Sequence, residues 1–465
     1  MKPLPSLPDA ALQALRHSLA PEQLMTDAAE CWSYGFDNSR RQGQPAAVAF
    51  PRSHDDVVSL MQICNTHRVP LIPRGRGTGT TGATVPISGG LVVSTEQMTQ
   101  IISISPADRY VVVQPGVINQ AVQELAAEHA FFWPPDPTSA AYCTVGGNLA
   151  YNSAGPRAVK YGTPRDNVFG LRAVTGAGES IRTGVFTSKG VVGYDLTRLL
   201  IGSEGTLAFI TEATLKLTPL AQAKRTIQVV YCDIESATTA IAAIMAQPVI
   251  PCALEFIDGR AIEMIRSYSA AVLPDRAGAM LMIEVDGSAA RLADDVEAVL
   301  AAATNPGLLR SQTASTPEEI AALWSTRKAL SPALRNVAPD KINEDVVVPV
   351  SRLPALIRGL EALSQEYHIP IVNFGHAGNG NIHVNLLFDS NDPQKVANAT
   401  ACLDQVFTLV LELNGTLSGE HGIGMAKRDF IDREIDPVTL DLMRRIKEEF
   451  DPHGILNPGK MFPGG

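Results

Sequence analysis

The chain has 465 residues, too many for one simple core, so two or three domains are expected. Hydrophobic residues make up 45% and charged residues 18%, an ordinary soluble composition, and a formal charge of −10 with no lysine–arginine cluster argues against a nucleic-acid partner. The six cysteines form no Cys-x-x-Cys pair, which excludes a compact iron–sulfur motif and suits reduced thiols in a cytoplasmic protein.

The N-terminus lacks the order of a signal peptide, and no apolar run approaches spanning length. A peripheral place at the inner face of a membrane, or beside a partner subunit, is compatible with both. Residues 8–35 read as short helices. Residues 46–50 read as a strand, and Ser53-His-Asp-Asp56 caps a helix with Val57, Leu60, Met61 and Cys64 on one face. A short strand over 69–73 then runs into Arg74-Gly-Arg-Gly-Thr-Gly-Thr-Thr-Gly82. Four glycines in these nine residues require positive φ or close backbone approach, and their N–H groups could form a nest for an anion. The loop is neither a Walker loop nor a Rossmann fingerprint, and a plain flexible loop is the alternative.

Strands over 90–94 and 110–114 and a helix over 117–128 follow. Three further backbone-rich turns come next, around Thr144-Val-Gly-Gly-Asn148, Asn152-Ser-Ala-Gly155 and Gly202-Ser-Glu-Gly-Thr206, the last leading into a strand over 207–217. Such turns spread along the chain suit a long ligand with a central pyrophosphate better than a small one. From about Thr218 the pattern changes. Strands over 226–233, 252–257 and 280–286 alternate with alanine-rich helices near 235–247 and 288–303, an α+β arrangement. Trp324-Ser-Thr-Arg327 is expected to begin a helical stretch, and residues 339–349 to lead into a strand.

Phe374-Gly-His-Ala-Gly-Asn-Gly-Asn-Ile-His383 carries two imidazoles around a turn. Gly375, Gly378 and Gly380 disfavour a helix, and the alternation on both sides predicts a hairpin. That hairpin would bring His376 and His383 within reach of one divalent ion, zinc being the first choice for mixed nitrogen and oxygen donors. Glu420 could supply a carboxylate, and His421 beside it a base near neutral pH. Histidines hydrogen-bonded to backbone are the alternative. A C-terminal helix over 437–450 returns the chain to its first half.

Pro73-Arg-Gly-Arg-Gly-Thr-Gly, Thr144-Val-Gly-Gly-Asn, Gly202-Ser-Glu-Gly-Thr206 and Leu456-Asn-Pro-Gly-Lys460 resemble the FAD-binding fold of the vanillyl-alcohol-oxidase type. Gly375-His-Ala-Gly-Asn-Gly-Asn-Ile-His383 and Ser418-Gly-Glu-His-Gly-Ile-Gly424 resemble the branch that oxidises D-2-hydroxy acids. The resemblance covers residues 40–462. It implies an α+β protein with a two-part FAD-binding domain at 1–217, a cap or substrate domain at 218–415 and a C-terminal segment at 416–465 that completes the active site. It places the flavin on Pro73, Arg74, Gly75, Arg76, Gly77, Thr78, Gly79 and Thr80, with further contacts at Pro137, Thr138, Thr144, Gly147, Asn148, Asn152, Gly205 and Asn457. Members with covalent flavin use a histidine in the first glycine loop; none stands here, so non-covalent FAD is expected.

By the same resemblance His376, His383 and Glu420 match metal ligands, His421 the catalytic base, and Arg327 the holder of the substrate carboxylate. Lys341 matches, at a spacing shifted by about one residue, a lysine that meets a second carboxylate, although a surface lysine is an equal reading. The expected substrate is a small 2-hydroxy acid, D-lactate or D-2-hydroxyglutarate, with a quinone, an electron-transfer flavoprotein or an iron–sulfur subunit as electron acceptor. A homodimer is compatible with the sequence. A metal-binding hydrolase with incidental glycine loops is the competing class.

Overall fold

A computed structural model describes residues 6–266, 273–328, 330, 334 and 338–464. The chain divides into two compact units. The first comprises Met1–Gly155, Gly162–Leu220 and Glu420–Gly465, and the second Pro156–Tyr161 and Ala221–Gly419.

The first unit holds two larger sheets. One is four-stranded, in the order Leu24–Met25, Ala47–Ala49, Leu91–Ser94 and Leu71–Arg74, with the last three strands parallel. Its three parallel strands are buried at nearly every position, as strands covered on both faces require. Helix His54–His67 packs on it. Ser53 accepts from the Asp56 N–H at 3.1 Å and Asp56 from the Ser53 N–H at 3.2 Å, so the expected cap forms, a feature worth about 1 kcal/mol. Val57, Leu60, Met61 and Cys64 are its buried face.

The other sheet is five-stranded and antiparallel, in the order Ile101–Ser105, Tyr110–Val113, Ala208–Lys216, Val168–Thr175 and Ser180–Gly184. The central strand Ala208–Lys216 is buried along most of its length, which its Phe-Ile-Thr-Glu-Ala-Thr-Leu sequence permits because both flanks are covered. Trp133 is fully buried beneath this sheet and donates Nε1–H to the Asn167 carbonyl at 3.0 Å. Helix Pro437–Phe450 returns to this unit, where Lys447 donates to the carbonyls of Thr206 and Leu456 at 2.7 and 2.8 Å.

The second unit is built on a seven-stranded antiparallel sheet. Its order is Leu308–Ala314, Ala223–Tyr231, Ala279–Gly287, Ala253–Asp258, Ile371–Gly375, Asn381–Phe388 and Asp340–Val347. Helices Ile234–Ala246 and Leu292–Ala303 follow their strands as expected. One element differs: the helix carrying Trp324 begins at Pro317, not at Trp324. Glu319 accepts from the Ser315 and Thr316 N–H groups and donates its own to Thr316 Oγ1, a capping box before a proline that fixes the earlier start.

Candidate functional site

In the first unit the end of strand Leu71–Arg74, the helix Val145–Tyr151 and the turn 202–206 line a cleft. Pro73, Arg74, Gly75, Gly146, Gly147 and Gly205 line it, with Ala208, Phe209 and Ile210 as an apolar wall. The glycines are needed for space. A Cβ on Gly75 would lie 2.6 Å from Thr144 Oγ1, and one on Gly205, whose φ is +66°, 3.0 Å from the Pro73 ring. Thr144 caps its helix by accepting the Gly147 N–H at 3.1 Å. Asn457 reaches the same region because its N–H donates to the Leu71 carbonyl and its side-chain amide to the Glu204 carbonyl, both at 2.8 Å.

Not every residue assigned to the flavin faces this cleft with its side chain. The Arg74 guanidinium turns inward, donating to the Phe36 carbonyl at 2.8 Å and lying 5.6 Å from the Tyr34 ring centroid. Arg76 is exposed and 4.0 Å from Glu96, while Thr78 is exposed and Thr80 half-buried. The Asn148 side chain is engaged by Asn119 Nδ2 at 3.0 Å and Cys143 Sγ at 3.3 Å. Asn152 takes a left-handed φ of 57° and accepts the Arg165 N–H at 3.1 Å. Pro137 is buried and Thr138 exposed. Of these positions Arg74 lines the cleft, while Arg76, Thr78, Thr80, Pro137, Thr138, Asn148 and Asn152 are not among its lining residues. The cleft's chemistry fits a flavin: Thr95 Oγ1 on its wall and Asn457 Oδ1 are buried and, among the described residues, find no hydrogen-bond partner.

His421 belongs to the same unit. Its carbonyl accepts the Thr81 hydroxyl at 3.3 Å, and the preceding Glu420 accepts the Gly155 N–H at 3.0 Å. The next residues are held by Glu204, which the sequence reading passed over. Burial pushes the Glu204 carboxyl up to about 7, although the N–H groups of Ile423 and Gly424 and the charges of Lys427 and Lys460 pull the other way.

In the second unit the expected hairpin forms between Ile371–Gly375 and Asn381–Phe388, closed by a short turn at Ala377–Asn379 with Gly380 at φ +73°. His376 and His383 are both buried, their ring centroids 5.3 Å apart and nearly perpendicular, with one nitrogen of each within 4.8 Å of the other. Two carboxylates missed in the sequence stand beside them. Glu255 Oε1 bonds His376 Nδ1. Asp345, fully buried, lies opposite His383 in register, accepts the Gly419 N–H at 2.9 Å and the Ser418 hydroxyl at 3.1 Å. Gly419 is thereby tied to the residue facing His383, and Glu420 follows it by one peptide bond. Their one signal in the sequence is an acid within or beside an apolar run, Glu255 in Ala253–Asp258 and Asp345 before Val346-Val-Val348, which assigns neither a role.

Lys341 is exposed on the edge strand Asp340–Val347, paired with Leu387. It shares the Asp345 face by the two-residue period, about 14 Å away along the strand. Arg327 lies in helix Pro317–Lys328, and its side chain falls outside the described residues.

A glycine-lined cleft of this shape, on these two sheets, defines a flavoprotein of the vanillyl-alcohol-oxidase fold. A 4-ethylphenol oxidase from Gulosibacter chungangensis shares that fold with a TM-score of 0.78 over 98% of this chain and 99% of its own, at 18% identity. Family models match as "FAD binding domain" over residues 45–184 and "FAD linked oxidases, C-terminal domain" over residues 220–461. The chain is 39% identical over 430 residues to the glycolate oxidase subunit GlcD of Bacillus subtilis, covering 92% of both chains. It is 31% identical over 461 residues to the D-2-hydroxyglutarate dehydrogenase of Stutzerimonas stutzeri, covering 97% of this chain and 99% of that one. The chain belongs to the FAD-linked oxidase family.

Proposed function

We propose that the chain is a FAD-dependent dehydrogenase that oxidises a D-2-hydroxy acid to the 2-oxo acid. The observation that carries this reading is the buried pair His376 and His383 beside Glu255, in a chain of a FAD-linked family. Two buried imidazoles in contact, one of them bonded to a carboxylate, suit a divalent ion far better than they suit an apolar core.

In this reading His376, His383 and Glu420 hold a divalent metal, zinc being the first choice for such donors. The loop from Pro73 to Thr80, with Thr144, Gly147, Gly205 and Asn457, holds FAD without a covalent bond, since residues 74–82 contain no histidine. Bound FAD supplies the hydride acceptor, and the ion supplies the positive charge that eases loss of the hydroxyl proton. Arg327 orients the substrate by its C1 carboxylate, a task suited to a planar bidentate donor. His421 takes the proton from the 2-hydroxyl as the C2–H bond breaks.

His421→Ala is expected to lower turnover by roughly two orders of magnitude while flavin content stays intact. Unchanged turnover would remove His421 from the chemistry. Lys341 supports a dicarboxylate such as D-2-hydroxyglutarate over D-lactate: it lies on the Asp345 face, at a distance that a five-carbon acid and a lysine side chain together roughly span. Lys341→Ala should impair oxidation of the dicarboxylate much more than that of the monocarboxylate, and equal loss on both would retire a role in specificity.

The similarity to a glycolate oxidase subunit favours a second reading, in which the chain is the flavin subunit of a complex and passes electrons to an iron–sulfur partner. Co-purification of such a subunit, and activity only in its presence, would support that assignment. A chain that alone reduces a dye or quinone with substrate would refute it. Among the described residues no helix is long and apolar enough to cross a membrane.

A further inference from the structure

The turn after His421 is gripped from two sides within the first unit. On one side Glu204 Oε1 accepts the Ile423 N–H at 2.6 Å and Oε2 the Gly424 N–H at 2.7 Å. On the other, Thr81 donates its hydroxyl to the His421 carbonyl at 3.3 Å, while its own carbonyl accepts the N–H groups of Met425 and Ala426 at 2.8 and 3.1 Å. The space is fully used: at Gly422, φ +81°, a Cβ would lie 2.6 Å from Glu204 Oε1 and 2.7 Å from the Tyr151 ring.

Glu204 is itself fixed. It lines the flavin cleft between Ser203 and Gly205, is 5% exposed, and has a left-handed φ of 53°. Its N–H donates to the Ala150 carbonyl and its carbonyl accepts from Asn457 Nδ2, both at 2.8 Å. A non-glycine residue with positive φ and a buried carboxylate are both unfavourable, and a turn that only needed filling could be packed with an apolar side chain. What a carboxylate does that no neutral side chain of the same length can do is accept two successive backbone N–H groups at once. Glutamine has one acceptor oxygen and would set an NH2 against the second N–H.

We propose that Glu204 is a positioning residue for His421, orienting its imidazole by locking the peptide planes of Ile423 and Gly424 to the wall of the flavin cleft. Thr81 completes the grip at the His421 carbonyl. The proposal rests on the reading of His421 as the base.

The test is a double-mutant cycle on the flavin-loaded enzyme, with kcat expressed per bound flavin. Glu204→Gln should lower kcat about tenfold or more with KM little changed, the scale on which small misplacements of a catalytic group act. In a His421→Ala background the same substitution should cause no further fall, because the residue it positions is gone. Thr81→Val, which keeps its shape, should move in the same direction more weakly and serves the same cycle should Glu204→Gln not fold. A tenfold fall that persists in the His421→Ala background, or an unchanged kcat in Glu204→Gln while His421→Ala is impaired, overturns the positioning role alone. An unimpaired His421→Ala overturns the base assignment and this proposal together.

Discussion

Glu255 bonds His376 Nδ1, which would leave Nε2 as the nitrogen for the proposed metal. Glu255→Gln is expected to reduce metal affinity by about ten- to a hundredfold, the usual effect of losing such an outer carboxylate, and metal content after dialysis measures it. Unchanged metal retention would make Glu255 a packing residue. Glu204 gives a pH prediction. Burial pushes its carboxyl up to about 7 in the folded chain from an ordinary 4.5, so between those values the folded state is expected to keep a proton that the unfolded state has lost. Its contribution is therefore fully present below about pH 4.5 and is lost as pH rises to about 7, by roughly 3 kcal/mol at most. Asp258, pushed up to about 6 by burial, acts in the same direction over an overlapping range. Glu204→Gln should remove the Glu204 part of this slope in chemical unfolding measured across pH 4–8, and identical slopes would refute it.

The elements explain why some of the site was legible and some was not. The hairpin was readable because Gly375, Gly378 and Gly380 break a helix while Val372, Phe374 and His376 keep a period of two. Register, however, comes from pairing. That Asp345 faces His383, and that Glu255 meets His376, follows from strands brought together across the sheet, and an acid within a strand carries no local label for either role. Strand limits moved for the same reason: the strand expected over 226–233 starts at Ala223, because Ala223, Lys224 and Arg225 pair with Gly287, Asp286 and Val285. The missed start of helix Pro317–Lys328 is different, since Thr316, Pro317 and Glu319 announce it locally. In the flavin cleft the turn 202–206 depends on Gly205. Gly205→Ala should strain a φ of +66° by about 1 kcal/mol and press on Pro73, so bound flavin per chain should fall. Full flavin loading in that variant would show that the turn tolerates a Cβ.

At the scale of the whole molecule, the motifs announced the fold class and the FAD-linked family, whereas the segment Pro156–Tyr161 of the second unit had no signal. It is joined there by side chains far apart in sequence: Lys160 donates to the Asp286 carbonyl at 2.7 Å and Tyr161 to the Asp286 carboxylate at 2.8 Å. No periodicity encodes such contacts. The central claim is that a flavin reduced by a D-2-hydroxy acid and a metal on the histidine hairpin belong to one reaction. Anaerobic bleaching of the visible flavin band tests it most directly, with D-2-hydroxyglutarate and D-lactate offered separately, before and after chelation. Bleaching by a D-acid is expected, lost on chelation and restored by added metal. Bleaching that survives complete removal of metal, or a flavin that neither acid reduces even with metal and a partner subunit present, would contradict it.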